Sequence, residues 1–556
     1  MLRWSRLINP ESQFCIKLSA LSSLCGELPA NHLSFEVVLK DSPANSVLED
    51  EREEVSAHEA QSPFVLALDV GSSSARAVFY DAQARAITGT LARVGRGFVT
   101  TADGGSEMDA DIALAGVARV VDEALQCAPP EIVSHTEAVA VSCFWHSLVG
   151  VDAEGRALTP VLGWADTRAA GEAAELRRQL DERATHRRVG CRFHPSYWPA
   201  KLRWLKKTRA EIYQAVNRWM SFGEFLALRL SGEVAASVSM ASGTGLLDQR
   251  RCVWDEELLA QLGVGVEHLP PLAEAKTDTF TLAGEYANRW PQLRRCKWFP
   301  AVGDGVANNI GAGCVSRERV SLMIGTSGAM RATYDGDAPA ELPSSLWCYR
   351  ADRRRVVVGG ALSDGGGLHD WMTDTLALNE DAQETERVLA QMEPDAHDLT
   401  LLPFWAGERS TGWHPEARGA ILGLTTHTRP LEILQASMEA VAYRIALLAA
   451  ALEPYAPGAE VRASGGALWA SSFWTQMLAD VMNRPVKISK VREASSRGAV
   501  LLVLEALGAI KSLDELPASV GQTFTPDTKR HALYREGLER QQKFYEMLIG
   551  RISSGE

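Results

Sequence analysis

Asp304, in the run AVGDGVANNIGAGC, stands between two glycines after an apolar stretch and ahead of a helical one. Neighbours without side chains let other groups come close to that carboxylate, and an acid so placed can accept the proton of a substrate hydroxyl. A second acid, Asp69, closes the apolar run of FVLALDVGSSSARAVFYD, and Gly71, Ser72, Ser73 and then Arg76 follow it. A serine-rich turn between two strands offers successive backbone N–H groups and hydroxyls. Such a nest binds phosphate without the lysine of the familiar phosphate loop, which this sequence lacks. Arg76 would add a phosphate contact. Asp69 suits Mg²⁺, an ion that keeps part of its water shell beside one or two carboxylates.

The first hairpin has an echo. DVGSSSARAVFYD and MIGTSGAMRATYD match at a constant offset of 254 residues: Gly71 on Gly325, Ser72 on Thr326, Ser73 on Ser327, Tyr80 on Tyr334 and Asp81 on Asp335. The pattern reads as two domains built on one hairpin, facing each other across a cleft and holding a triphosphate from both sides. Met323 replaces Asp69 in the echo, so only the first hairpin carries the metal acid. Further on, ASGGALW places Gly465 and Gly466 before an apolar helix, where a flat adenosine can lie on the backbone. Together these residues point to phosphoryl transfer from ATP with Mg²⁺.

The acceptor has its own candidates. CFWHSLVGVDAEGRALTPVLGWADTRA gathers Trp145, His146, Trp164, Asp166 and Arg168 around a hairpin. Indole faces stack on sugar C–H faces, and Asp and Arg read hydroxyls or a carboxylate. If the second run is extended, Trp164, Asp166 and Arg168 share one side of it.

These residues need two large domains to hold them, and a chain of 556 residues exceeds what one core usually supports. From Phe64 onward short β-rich runs such as EAVAVSCFW alternate with amphipathic stretches such as DIALAGVARVVDEALQ, an α/β pattern. PLEILQASMEAVAYRIALLAAAL reads as one long helix whose apolar part, Ile445–Leu452, is a core segment too short for a membrane. An amphipathic helix from about residue 527 closes the chain. Residues 1–63, basic and then acidic, read as an extension, either disordered or targeting. The expected domains are 64–315, with the sugar site and first hairpin, and 316–556, with the second hairpin and adenosine site. A net charge of −13 argues against a nucleic-acid partner. Nine cysteines without C-x-x-C spacing suit a reduced, cytoplasmic setting, unless residues 1–63 direct the chain to an organelle. The expected partner is a small sugar, with no membrane; the sequence leaves the oligomeric state open, a homodimer included.

In these residues the chain resembles the FGGY carbohydrate kinases of the sugar kinase–actin–Hsp70 superfold. The resemblance runs from about Phe64 to the end. Its most specific piece is GAILGLTTHTRPLEILQASMEA, with Gly419, Gly423, Glu432, Ala436, Ser437 and Glu439 at the family's spacing, and DVGSSSAR, GDG, IGTSG, PFWAGERS and SGGA fall in family order. It implies two ribonuclease-H-like, actin-like ATPase domains flanking a nucleotide and sugar cleft, with Asp304 as base and Asp69 as Mg²⁺ acid. FWHSLVGVD, GWADTR and HPSYWPAKLRWL are most similar to the gluconate kinases, which implies that Arg168, His146 or Lys201 meets a substrate carboxylate. Asp364 stands where similar kinases more often have Asn, and Thr411 where Pro is usual. A pentulose kinase and a catalytically silent actin-like ATP-binding protein are the alternatives.

Overall fold

The computed structural model describes residues 54–95, 97–273, 278–378 and 381–549. Two mixed sheets dominate them. In the first, of eight strands, β1 (Phe64–Val70) lies between β2 (Ser74–Tyr80), antiparallel to it, and β3 (Thr136–Cys143), parallel to it. β4 (Val302–Gly303) runs parallel beside the end of β3. The second sheet, of seven strands, repeats the setting: β5 (Arg319–Ile324) pairs antiparallel with β6 (Gly328–Asp335), which pairs in turn with β7 (Arg355–Leu362), and on its other side parallel with β8 (Glu460–Ser464). Every residue of β1 is buried, as expected of a central strand covered on both faces, and this is why the sequence there is an unbroken apolar run up to Asp69. The α/β reading with two related sheets is therefore correct.

The repeat holds less far than the sequence suggested. In the first hairpin Asp69 pairs with Arg76, and four residues separate the last pair, Val70 and Ala75. In the second, Met323 pairs with Ala329 and only three residues lie between Ile324 and Gly328. The shorter turn slips the return strand by one residue. Because strand side chains alternate, a slip of one exchanges the two faces. Tyr80 and Tyr334, aligned by sequence, are not equivalent in register; neither are Asp81 and Asp335.

Residues 1–53 lie outside the described residues, and so does most of the expected extension. The remainder of it is part of the fold: Glu54–Val55 pairs with Ala86–Ile87 at the edge of the first sheet, and Val55 is buried.

α1 (Asp304–Gly311) starts directly after β4, and α2 (Gly366–Thr375) follows β7. α3 (Pro430–Leu452) has a mean hydropathy of 1.3 over an 18-residue window, enough by length and composition to cross a membrane, which a search for a continuous apolar run does not detect. Since 78% of that window is buried inside the fold, it is a core helix. α4 (Ala494–Leu507) crosses α1 with backbones almost touching: a Cβ on Gly311 would lie 1.8 Å from the Ala494 carbonyl oxygen, and one on Gly498 1.8 Å from that of Ala307. Gly498→Ala must push the helices apart, and we expect a loss of about 1–3 kcal/mol of stability, measured by urea unfolding. α5 (Thr528–Leu548), capped by the Asp527 side chain, is the expected terminal helix and lies against α3.

Candidate active site

A cavity of about 260 Å³ brings both turns together with Asp304. Ser72 comes from the first turn, Gly325, Thr326 and Ser327 from the second, and Trp145, Trp164, Tyr197, Trp347, Tyr349 and Trp413 form aromatic walls. Asp304 is the first residue of α1, at the carboxyl end of β4, and its Oδ1 accepts from the Gly305 N–H at 2.7 Å. Open α/β sheets bind ligands at such strand ends. The glycines on either side of Asp304 make room for Trp145: a Cβ on Gly303 would stand 1.9 Å from the indole Cε2, and one on Gly305 2.7 Å from Cζ3. Trp145 is held by its Nε1–H, which donates to the Ser239 carbonyl at 3.0 Å.

Desolvation within this enclosure lifts the Asp304 carboxyl to about 6; the Asp69 charge pushes the same way, while Arg331 opposes. Arg331 comes from β6 and is only 7% exposed. Its Nε and Nη1 have no hydrogen-bond partner, and burial lowers its pKa to about 10. A Cβ on Gly305 would lie 3.3 Å from its Cζ, so the guanidinium sits beside Asp304. Arg409 stands over the Trp164 ring at 4.6 Å and donates through Nη2 to the Leu362 carbonyl at 2.7 Å, leaving Nε without a partner. His146 occupies the left-handed region at φ 67°. Burial takes it down to about 3, so it is neutral, and its Nδ1–H donates to the Gly243 carbonyl. That tautomer leaves Nε2 an acceptor, suited to a hydroxyl and unsuited to a carboxylate.

A second cavity, of about 540 Å³, is lined by Gly466, Ala467, His369, Thr373, Thr385 and Trp474. Gly325 and Thr326 line it as well, so the second turn is the partition between the two cavities. The start of α2 fixes that turn: the Gly366 N–H donates to the Gly325 carbonyl at 2.7 Å, and the Gly367 N–H to that of Thr326 at 3.0 Å. This approach needs the triple glycine after Asp364, because a Cβ on Gly365 would lie 2.7 Å from the Ser327 carbonyl carbon. Gly465, at φ 103°, packs on Ile324, whereas a Cβ on Gly466 would meet nothing within 4 Å. The backbone at Gly466 is thus open to a flat ligand in the larger cavity.

Residues 64–311 match the N-terminal domain of the FGGY family of carbohydrate kinases, and residues 320–507 match its C-terminal domain. The chain belongs to that family. It is 26% identical over 473 residues to a gluconokinase of Bacillus subtilis, covering 83% of this chain and 91% of the other. Among solved structures it is similar to a xylulose kinase from Lactobacillus acidophilus (TM-score 0.81, 26% identity, 89% of this chain and 100% of that one). It is equally similar to a gluconate kinase from the same organism (TM-score 0.80, 27% identity, 87% and 98%).

Within this FGGY carbohydrate kinase the expected sugar residues part company. Trp145, His146 and Trp164 line the smaller cavity with Asp304. Asp166 and Arg168 are outside that lining and are spent on structure. Arg168 Nη2 donates to Asp166 at 2.6 Å and to Glu107 at 2.7 Å, its guanidinium lies over Trp204, and Asp166 also accepts from the Ser106 N–H at 3.2 Å. The reason is local: residues 164–168 form turns and coil rather than a strand, so the expected alternation does not operate. Lys201, considered for a substrate carboxylate, donates to the carbonyls of His146 and Gly163, each at 2.8 Å, and pins the backbone on both sides of the cavity. Burial brings its pKa to about 7.

In the first hairpin, Ser72 lines the cavity, Ser73 is exposed outside that lining, and the Gly71 N–H closes the turn onto the Ser74 carbonyl. Asp69 is buried at the end of β1, and Arg76, expected at a phosphate, pairs with Asp69 and with Glu493. Asp364 accepts from the Ala406 N–H at 3.1 Å, and burial raises its carboxyl to about 6; it supports the loop that carries Arg409. Thr411 Oγ1 accepts from Arg444 on α3. Sequence reasoning missed Arg331 and Arg409, although both lie inside quoted motifs, GTSGAMR and PFWAGERS. Nothing in a one-dimensional pattern sets the face on which the return strand presents Arg331, because that depends on the length of the turn.

Proposed function

We propose that this carbohydrate kinase transfers the γ-phosphoryl group of ATP to the terminal hydroxyl of gluconate, giving 6-phosphogluconate. The observation that carries the substrate is Arg331. A buried guanidinium with two unpaired N–H donors on a cavity wall is costly unless an anionic acceptor completes it, and a sugar acid brings one. Arg409 Nε adds a further donor. The first relatives found being gluconokinases supports the same reading.

ATP lies in the larger cavity with its adenosine against Gly465–Gly466 and its phosphates at Gly325, Thr326 and Ser327. The sugar chain stacks on Trp145 and Trp164, with a hydroxyl donating to His146 Nε2. Asp304 takes the proton of the attacking hydroxyl. Gly71 and Ser72 face the transferring group from the other side. Asp69 and Asp304 also fit a divalent ion, since the field of one carboxylate raises the proton affinity of the other, and a cation relieves that repulsion. Bound there, Mg²⁺ would supply charge neutralisation for the phosphates. Aromatic walls exclude water, which limits wasteful hydrolysis.

A substrate panel read by ADP release tests the proposal: turnover of gluconate well above that of xylulose, ribulose and glycerol is expected. Robust turnover of a ketopentose with none of gluconate replaces it by a pentulose kinase. Tight ATP binding with no acceptor turned over replaces it by the silent actin-like alternative.

A further inference from the structure

The first hairpin meets a residue from far along the chain. Arg76 Nη1 lies 3.0 Å from Glu493 Oε2 and 3.5 Å from Asp69 Oδ2, so one guanidinium is shared by two acids, with the shorter contact to Glu493. Arg76 Nε is buried and has no hydrogen-bond partner, so the side chain is held chiefly through Nη1. Glu493 immediately precedes α4, and its side chain makes no capping bond to that helix, which frees its carboxylate to reach across. Its backbone is fixed as well: the Tyr80 hydroxyl, at the end of β2, donates to the Glu493 carbonyl at 3.4 Å. The start of α4 also reaches Asp304: the Ser495 hydroxyl donates to the Asp304 carbonyl at 3.5 Å.

An arginine that closes on a carboxylate competes with a metal ion for the same oxygens. Two acids sharing one arginine divide that competition according to their distances from it. We propose that Glu493 is a positioning residue for the metal acid: reaching from the second half of the chain, it draws Arg76 toward itself, so that Arg76 holds Asp69 only at the longer distance and competes less with a divalent cation there. This rests on the reading of Asp69 as the Mg²⁺ acid. Arg76 and Asp69 belong to the first sheet, and α4, whose Val500, Leu501 and Leu504 pack into that sheet's core, brings Glu493 to them from the far end of the chain.

The test is the affinity of the full chain for ADP, measured by calorimetry with and without Mg²⁺; the ratio of the two reports the metal without any turnover. In Glu493→Gln we expect the gain in ADP affinity from Mg²⁺ to shrink roughly tenfold, a coupling of the size contacting residues show, while metal-free ADP affinity is unchanged. In an Arg76→Ala background the same Gln substitution should have no further effect, and Arg76→Ala alone should leave the Mg²⁺ gain equal or larger. The inference is overturned if Glu493→Gln keeps the wild-type Mg²⁺ gain, if it weakens the gain equally with and without Arg76, or if Arg76→Ala by itself weakens it. Should Glu493→Gln fail to fold, the Arg76→Ala result still decides. Asp69→Asn separates the two readings: a Mg²⁺ gain unaffected by that change removes the metal assignment itself, whereas a loss there beside an unaffected Glu493→Gln removes only the role of Glu493.

Discussion

Asp304→Asn is expected to abolish phosphoryl transfer while nucleotide binding survives. Loss of a positioned general base costs roughly 10²–10⁴-fold in turnover, and here the amide also withdraws a charge beside the transferring phosphoryl. ADP affinity should hold, because the larger cavity is built from Gly466, His369 and Trp474 and shares only the second turn with the smaller one. The same carboxylate sets a pH limb. A base must be ionised, and enclosure has raised its pKa to about 6, with Asp69 raising it and Arg331 lowering it. Activity should therefore fall as pH drops through about 6 and reach a plateau above it, and a bound cation should move the limb lower. Measurement of kcat/KM for gluconate between pH 5 and 8 checks this, and retained phosphorylation by the Asn variant would remove Asp304 as the base.

Arg331→Met should cost gluconate far more than it costs a neutral sugar. Taking one partner from a buried charge pair costs about 2–5 kcal/mol, which corresponds to roughly 30- to 5,000-fold in kcat/KM. The thioether keeps apolar bulk in the cavity and removes the donors. A second signature separates recognition from collapse of the site. Arg331 lowers the proton affinity of Asp304, so its removal should shift the acid limb to higher pH for every substrate, whereas the loss in kcat/KM should be concentrated on the acid. Equal losses on gluconate and on a ketopentose would show that Arg331 supports the base and does not read a carboxylate.

Several parts of the fold and site were legible because they depend on local chemistry. An apolar run ending in an acid and a Gly-Ser turn has few physical uses; it singled out Asp69, Gly71, Ser72, Gly325 and Thr326, of which Ser72, Gly325 and Thr326 line the cavity with Asp304. Asp304 was legible from its two glycines, although their reason proved to be the indole of Trp145 passing between them. Asp166 and Arg168 misled because an alternation argument presumes a strand, and residues 164–168 form turns and coil. They satisfy each other, as buried charges in a loop must. The Tyr80–Tyr334 match misled for a related reason: sequence identity survives a change in turn length, but strand register does not.

By itself the sequence determined the α/β class, the duplicated hairpin, and the placing of Asp304 at a strand end and of Gly465–Gly466 before a helix. Each is fixed by residues within one turn or one strand of each other, where backbone geometry and side-chain chemistry suffice. Only the tertiary structure decided which buried side chains face the cavity. Arg331 faces it because a three-residue turn places it there, Arg409 reaches it from a loop propped by Asp364, and Glu493 meets Arg76 because glycines let α1 and α4 touch. Those are contacts between segments far apart in the chain, and their geometry follows from packing, which no local pattern records.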